Sequence, residues 1–125
     1  MGIIKTEYTG NLGTSTNYSL SECPILTKVN PFGPTDLMTA SLGSCIVTYI
    51  DFIAKKNNFT TDKATVELKK TMNTEGTFIT NFEITINLND EFTNEQKEII
   101  ETSAKNCPVG NSLHIDIKRN YAFNY

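Results

Sequence analysis

The spacing of hydrophobic and polar positions changes several times along the chain, and each change predicts an element. Residues from Ile3 to Thr9 form a β-rich run, and Gly10-Asn11-Leu12-Gly13 carries a turn signal. Thr16 to Leu20 and Ile25 to Val29 read as further short strands. Asn30-Pro31-Phe32-Gly33-Pro34 then breaks regular structure and leads into a helix, where Thr35 and Asp36 can cap the first free amides. From about Asp36 to Asn57 apolar residues recur at helical spacing on nearly every face until Lys55-Lys56, the pattern of a central helix. Ala40, Ser41, Gly43 and Ser44 form a small-residue stretch beside Cys45, which would let another backbone approach closely.

Period-two alternation follows. Ala64, Val66, Leu68 and Met72 are joined through the Asn73-Thr74-Glu75-Gly76 turn to Phe78, Phe82, Ile84, Ile86 and Leu88, which predicts an antiparallel hairpin with one buried face. Thr93 with Gln96 makes a capping box for a second helix through about Lys105. Cys107-Pro108 opens a third helical turn. Leu113, Ile115 and Ile117 alternate as a last core strand, and Tyr121 to Tyr125 reads as an aromatic tail. The fold class expected is α+β, as a single domain over residues 1–125.

Composition narrows the function. A net charge of −3 disfavours binding to nucleic acid or to an anionic membrane, both of which call for a basic surface. The apolar stretch from Leu37 to Ile50 carries Thr39, Ser41, Ser44 and Thr48 and reads as a core helix, not a bilayer span. The N-terminal residues lack the pattern of a signal peptide, so a cytoplasmic protein is expected. Three cysteines, an odd number, are then expected to be reduced thiols instead of a disulfide scaffold.

Cys45, in the middle of the long helix, and Cys107, at a helix N-terminus where the dipole can favour a thiolate, are the two candidate reactive groups. Each alone reads more readily as a small core residue, and nothing in composition or periodicity brings them together. Cys23 reads as an ordinary small hydrophobe. His114, on the polar alternation of the last strand, reads as a strand residue more readily than as a general base. No pair among Cys23, Cys45, Cys107 and His114 has metal-ligand spacing, so no metal site is expected. Glu95, Glu98 and Glu101 read as a solvated helix face. Tyr49, Phe52 and Phe59 read as core or as the apolar wall of a pocket.

Two motifs carry a resemblance. Gly33-Pro34-Thr35-Asp36-Leu37 leading through Ala40-Ser41-Leu42-Gly43-Ser44 to Cys45, and Cys107-Pro108-Val109 after a hairpin, are similar to the two cysteine segments of the OsmC/Ohr family, the osmotically induced and organic hydroperoxide resistance proteins. The order of elements fits over essentially the whole chain. The resemblance implies an intertwined homodimer with antiparallel sheets packed around a long central helix, and two sites at the subunit interface. It implies a cysteine-based peroxidase that needs no cofactor. A Cys45 thiolate would cleave an organic hydroperoxide, Cys107 would resolve the product as a disulfide, and an external dithiol would reset the pair. Family members also pair a glutamate ten residues before the first cysteine with an arginine in the N-terminal strands. Here Thr35 holds the glutamate position, Asp36 follows one step later as a partial stand-in, and the single arginine is Arg119. These departures mark a divergent OsmC-like branch. They favour a rival reading, a non-catalytic dimer that binds a small apolar ligand between its subunits.

Overall fold

The computed structural model describes residues 2–125. The chain divides into two compact units, one ending at Met38 and one beginning at Thr39. In the first, β1 (Ile4–Gly10), β2 (Gly13–Tyr18) and β3 (Ile25–Lys28) form an antiparallel meander in the order β1-β2-β3. The β1–β2 connection places Asn11 and Leu12 at φ 52° and 61°, the left-handed pair that matches the twist of a two-residue hairpin turn. The short helical turn α1 (Val29–Phe32) carries a kink at Asn30, whose φ/ψ is not helical. It leads into α2 (Pro34–Lys56), which starts two residues earlier than its apolar periodicity suggests, with proline at its first position. Asp36 accepts the Gly33 amide at 2.8 Å, the return bond of a capping box, at the third helical position.

The second unit holds most of α2, then β4 (Thr65–Met72), β5 (Ile79–Asn87), α3 (Asn94–Ala104), α4 (Pro108–Asn111) and β6 (Lys118–Asn124). The expected hairpin is present: β4 and β5 pair antiparallel from Thr65↔Asn87 to Met72↔Ile79. The strand β6 then lies parallel to β5, from Asn81↔Lys118 to Asn87↔Asn124, giving a mixed sheet ordered β4-β5-β6. A parallel neighbour requires a crossover, and α3 with α4 supplies it. Capping of α3 follows the expected box, with Thr93 Oγ1 accepting from the Gln96 amide and Gln96 accepting from the Thr93 amide.

Leu42, Ile46, Ile50 and Ala54 on α2 are fully covered, and the first three pack with Phe82, Ile84 and Ile86 from β5, Leu88 just after it, and Ile100 and Ala104 from α3. By length and composition alone, the stretch containing α2 reaches what a bilayer span needs. Its apolar stripe against the sheet makes it a core helix instead. Gly43 lies where β4 comes close, since a Cβ there would stand 2.8 Å from Leu68 Cδ1 and 3.3 Å from Val66 Cγ1.

The C-terminal expectation is overturned. Leu113, Ile115 and Ile117 do not form a strand; residues 112–117 turn, and Ile115 is 94% exposed. What reads as a tail is the strand, with Arg119, Tyr121 and Phe123 half-buried between exposed Lys118, Asn120, Ala122 and Asn124. The aromatic pair Tyr121 and Phe123 stacks at 6.2 Å.

Candidate functional site

The two cysteines singled out by sequence are brought together within the second unit. Cys45 lies half-buried near the middle of α2, on the turn between Leu42 and Ile46. Cys107 is fully buried at the N-cap of α4, where Pro108 takes the first helical position and fixes the turn. The short α4 hands a backbone donor to the other cysteine: the Val109 amide points at Cys45 Sγ at 3.5 Å. The thiols of Cys45 and Cys107 lie within hydrogen-bonding reach of each other.

The electrostatics of Cys107 depart from the sequence expectation. Burial pushes its thiol above the usual value, and the neighbouring Cys45 adds to the rise. The Gly110 backbone amide and the Arg119 guanidinium act in the opposite direction without cancelling it. A single helical turn has too few aligned peptides to overcome desolvation of a sulfur with no exposed surface.

Three residues outside the two cysteine motifs complete the surroundings. Arg119 and Tyr121 face the same way from β6, two residues apart, and Arg119 Nη1 donates to the Tyr121 hydroxyl at 3.3 Å. Burial raises the Tyr121 phenol, while the Arg119 charge opposes the rise and the Cys107 sulfur adds to it. Gly110 is buried; a Cβ built on it would collide with Arg119 Nη1 and stand 3.1 Å from Cys107 Sγ. The sequence signal for Arg119 is the alternation Arg119, Tyr121, Phe123, eclipsed by the more apolar run before it.

Other candidates fall elsewhere. Thr35 and Asp36 are in the first turn of α2, within the first unit, whereas the thiol site is built from the second. Cys23 is exposed, so it is not a core hydrophobe. His114 lies in the exposed turn before β6, not on a strand; its ring meets Phe78 edge-on at 5.4 Å and Nδ1 accepts the Asp116 amide at 3.0 Å. Phe59 and Tyr49 border the core, whereas Phe52 is exposed with the Lys56 ammonium 4.3 Å from its ring centroid. Glu101, placed on a solvated face, accepts from the Tyr125 hydroxyl at 2.6 Å. Among the described residues no group of three His, Cys, Asp or Glu side chains is close enough to hold a metal ion.

Comparison with known proteins agrees with this architecture. No curated protein matches the chain. A Psychrobacter arcticus protein named for osmotic stress induction and a detoxification response superposes with a TM-score of 0.88 at 29% identity, covering 97% of this chain and 94% of that one. An OsmC-like protein from Mycoplasma pneumoniae shares the fold at TM-score 0.76 and 18% identity, with 100% and 98% coverage. The organic hydroperoxide resistance protein OhrB of Bacillus subtilis does so at 0.72 and 13%, with 99% and 98%. The family model described as OsmC-like protein matches residues 28–121, a span that contains Cys45, Cys107 and the arginine of β6. By sequence and by fold, this chain belongs to the OsmC-like family.

Proposed function

We propose that the protein is a thiol-dependent peroxidase that reduces organic hydroperoxides through Cys45 and Cys107. The observation that carries this reading is the adjacency of a half-buried thiol and a fully buried one at the start of α4. The Cys45 thiolate attacks the O–O bond, the alcohol leaves, and sulfur becomes a sulfenic acid. Cys107 then displaces the sulfenic oxygen as water and closes a disulfide, which an external dithiol reduces. The partial exposure of Cys45 suits the thiol that meets substrate, and the burial of Cys107 suits the one that waits. Names of fold relatives that refer to hydroperoxide resistance support the chemistry.

The working unit is a homodimer. The face of α2 opposite the core leaves Ala40, Ser41, Ser44 and Thr48 exposed, a surface of small residues suited to another helix at close range, with the exposed apolar ring of Phe52 beyond it. Intact-mass analysis after one equivalent of an organic hydroperoxide tests the function. A loss of two hydrogens mapped to Cys45–Cys107 is expected. Unchanged mass in folded, dimeric protein would overturn the reading and leave the ligand-binding alternative.

A further inference from the structure

Arg119 holds the only guanidinium in the chain, and its surroundings are arranged around one missing methyl group. At Gly110 any side chain would strike Nη1 of Arg119, and the same point lies 3.1 Å from Cys107 Sγ. The glycine does not serve a turn with positive φ; it leaves the space through which the guanidinium reaches the α4 turn. The same nitrogen, Nη1, donates to the Tyr121 hydroxyl at 3.3 Å. Among the described residues no carboxylate stands within ion-pair distance of Arg119. The half-buried guanidinium has a phenol, a glycine and a buried thiol as neighbours, and of these the thiol has the lower ordinary pKa and becomes an anion more readily than the phenol.

We propose that Arg119 stabilises the thiolate of Cys107 at the moment of resolution, with Tyr121 as its positioning residue and Gly110 as the space that admits it. This rests on the thiol peroxidase reading but concerns its second step. Cys107 loses its proton to solvent, and its sulfur attacks Cys45 Sγ of the sulfenic acid. The S–S bond forms as the S–O bond breaks, and the departing hydroxide takes up a proton to leave as water. The Cys107 sulfur is oxidised and the sulfenic sulfur is reduced, so no reactant beyond the hydroperoxide is needed. The groups around the Cys107 sulfur are then the Cys45 sulfur on α2, the Gly110 amide on α4, and Arg119 and Tyr121 on β6. Of these only Arg119 brings a full positive charge. Guanidinium is weakly hydrated and stays charged when half-buried, which an ammonium does less well.

The direct test uses a protein with Cys107 as its single thiol, made by Cys23→Ser and Cys45→Ser. Ultraviolet thiolate absorbance is followed against pH. Arg119→Met in this background is expected to move the midpoint up by about one pH unit or more, a tenfold loss of thiolate at a given pH. Arg119→Lys is expected to restore part of the shift. Gly110→Ala, which displaces the guanidinium without removing it, is expected to move the midpoint the same way, and serves if Arg119→Met does not fold. An unshifted midpoint in folded Arg119→Met protein overturns the proposal, whatever the enzyme does with peroxide. In protein with all cysteines, disulfide formation is expected to slow more than sulfenic acid formation, with its pH profile displaced to the alkaline side. If the midpoint moves while hydroperoxide oxidises neither cysteine, the peroxidase reading falls and the resolution role of Arg119 falls with it, whereas an unshifted midpoint in protein that still forms the disulfide overturns the Arg119 proposal alone.

Discussion

The Val109 amide reaches across 64 positions to Cys45 Sγ, so one short helical turn both carries Cys107 and hands a donor to the other thiol. A hydroxyl can accept from that amide as a sulfur does. Cys45→Ser is therefore expected to keep the fold and lose peroxide consumption completely. Parallel circular dichroism and hydroperoxide assays check it, and a Cys45→Ser protein that still turns over would remove Cys45 from the chemistry.

Removal of the second thiol separates the two half-reactions. Cys107→Ser is expected to consume one equivalent of hydroperoxide per site and stop, with the extra oxygen on Cys45. Mass spectrometry of the product, with and without a sulfenic acid trap, reads this out.

Phe82 is the largest side chain with no exposed surface, and it sits on β5 directly opposite the backbone of Arg119. Truncation to alanine leaves a cavity that the surrounding Ile and Leu side chains cannot fill. Phe82→Ala is expected to cost about 3–5 kcal/mol in denaturant unfolding.

Asp51 on α2 accepts from Lys55 Nζ at 2.9 Å, the Thr60 hydroxyl at 2.7 Å and the Thr61 amide at 2.9 Å, tying the helix end to the following loop. The Lys55 contact first, and then the Thr61 amide, bring its carboxyl from 3.8 down to about 2. An acid depressed by folding adds stability at pH values above its unfolded pKa and loses it as pH falls through the folded value. Asp51→Asn is thus expected to be less stable than the parent at neutral pH, with the difference shrinking as pH falls from 3.8 and lost below about pH 2. Unfolding midpoints across that range measure it.

The hydroxyl of Thr93 closes the first turn of α3, the helix that leads to Cys107. Thr93→Ala removes one acceptor and leaves an amide open, at a cost of about 1 kcal/mol. A shift in thermal midpoint without a change in the oxidised product is the expected result.

Much of this arrangement is legible in the residues. Local chemistry sets the Thr93 cap, the β4–β5 alternation and the apolar face of α2, and each is present where the sequence puts it. Both cysteine segments are legible as motifs, but their meeting is implied only by the family resemblance and not by the residues' own pattern, because it depends on the crossover between β5 and β6. The last strand lies further along the chain than its pattern suggests, for a definite reason. Leu113, Ile115 and Ile117 have the better apolar alternation, whereas β6 is an edge strand with one face carrying Arg119 and Tyr121. A strand whose inward positions include a charge does not look like core. For the same reason Arg119 does not stand out in the sequence as part of the site.

The parallel seating of β6 at the sheet edge has a consequence for how the site comes into being. Its ladder to β5 joins residues some 37 positions apart, as in the Asn120–Glu83 and Asn124–Asn87 side-chain bonds. Non-local pairings of this kind form late, after hairpins and helices have closed their shorter loops. During synthesis the segment carrying Arg119 also leaves the ribosome after both cysteines. A nascent or partly folded chain can thus hold two thiols with no guanidinium beside them, and the complete site arrives only when the final strand docks.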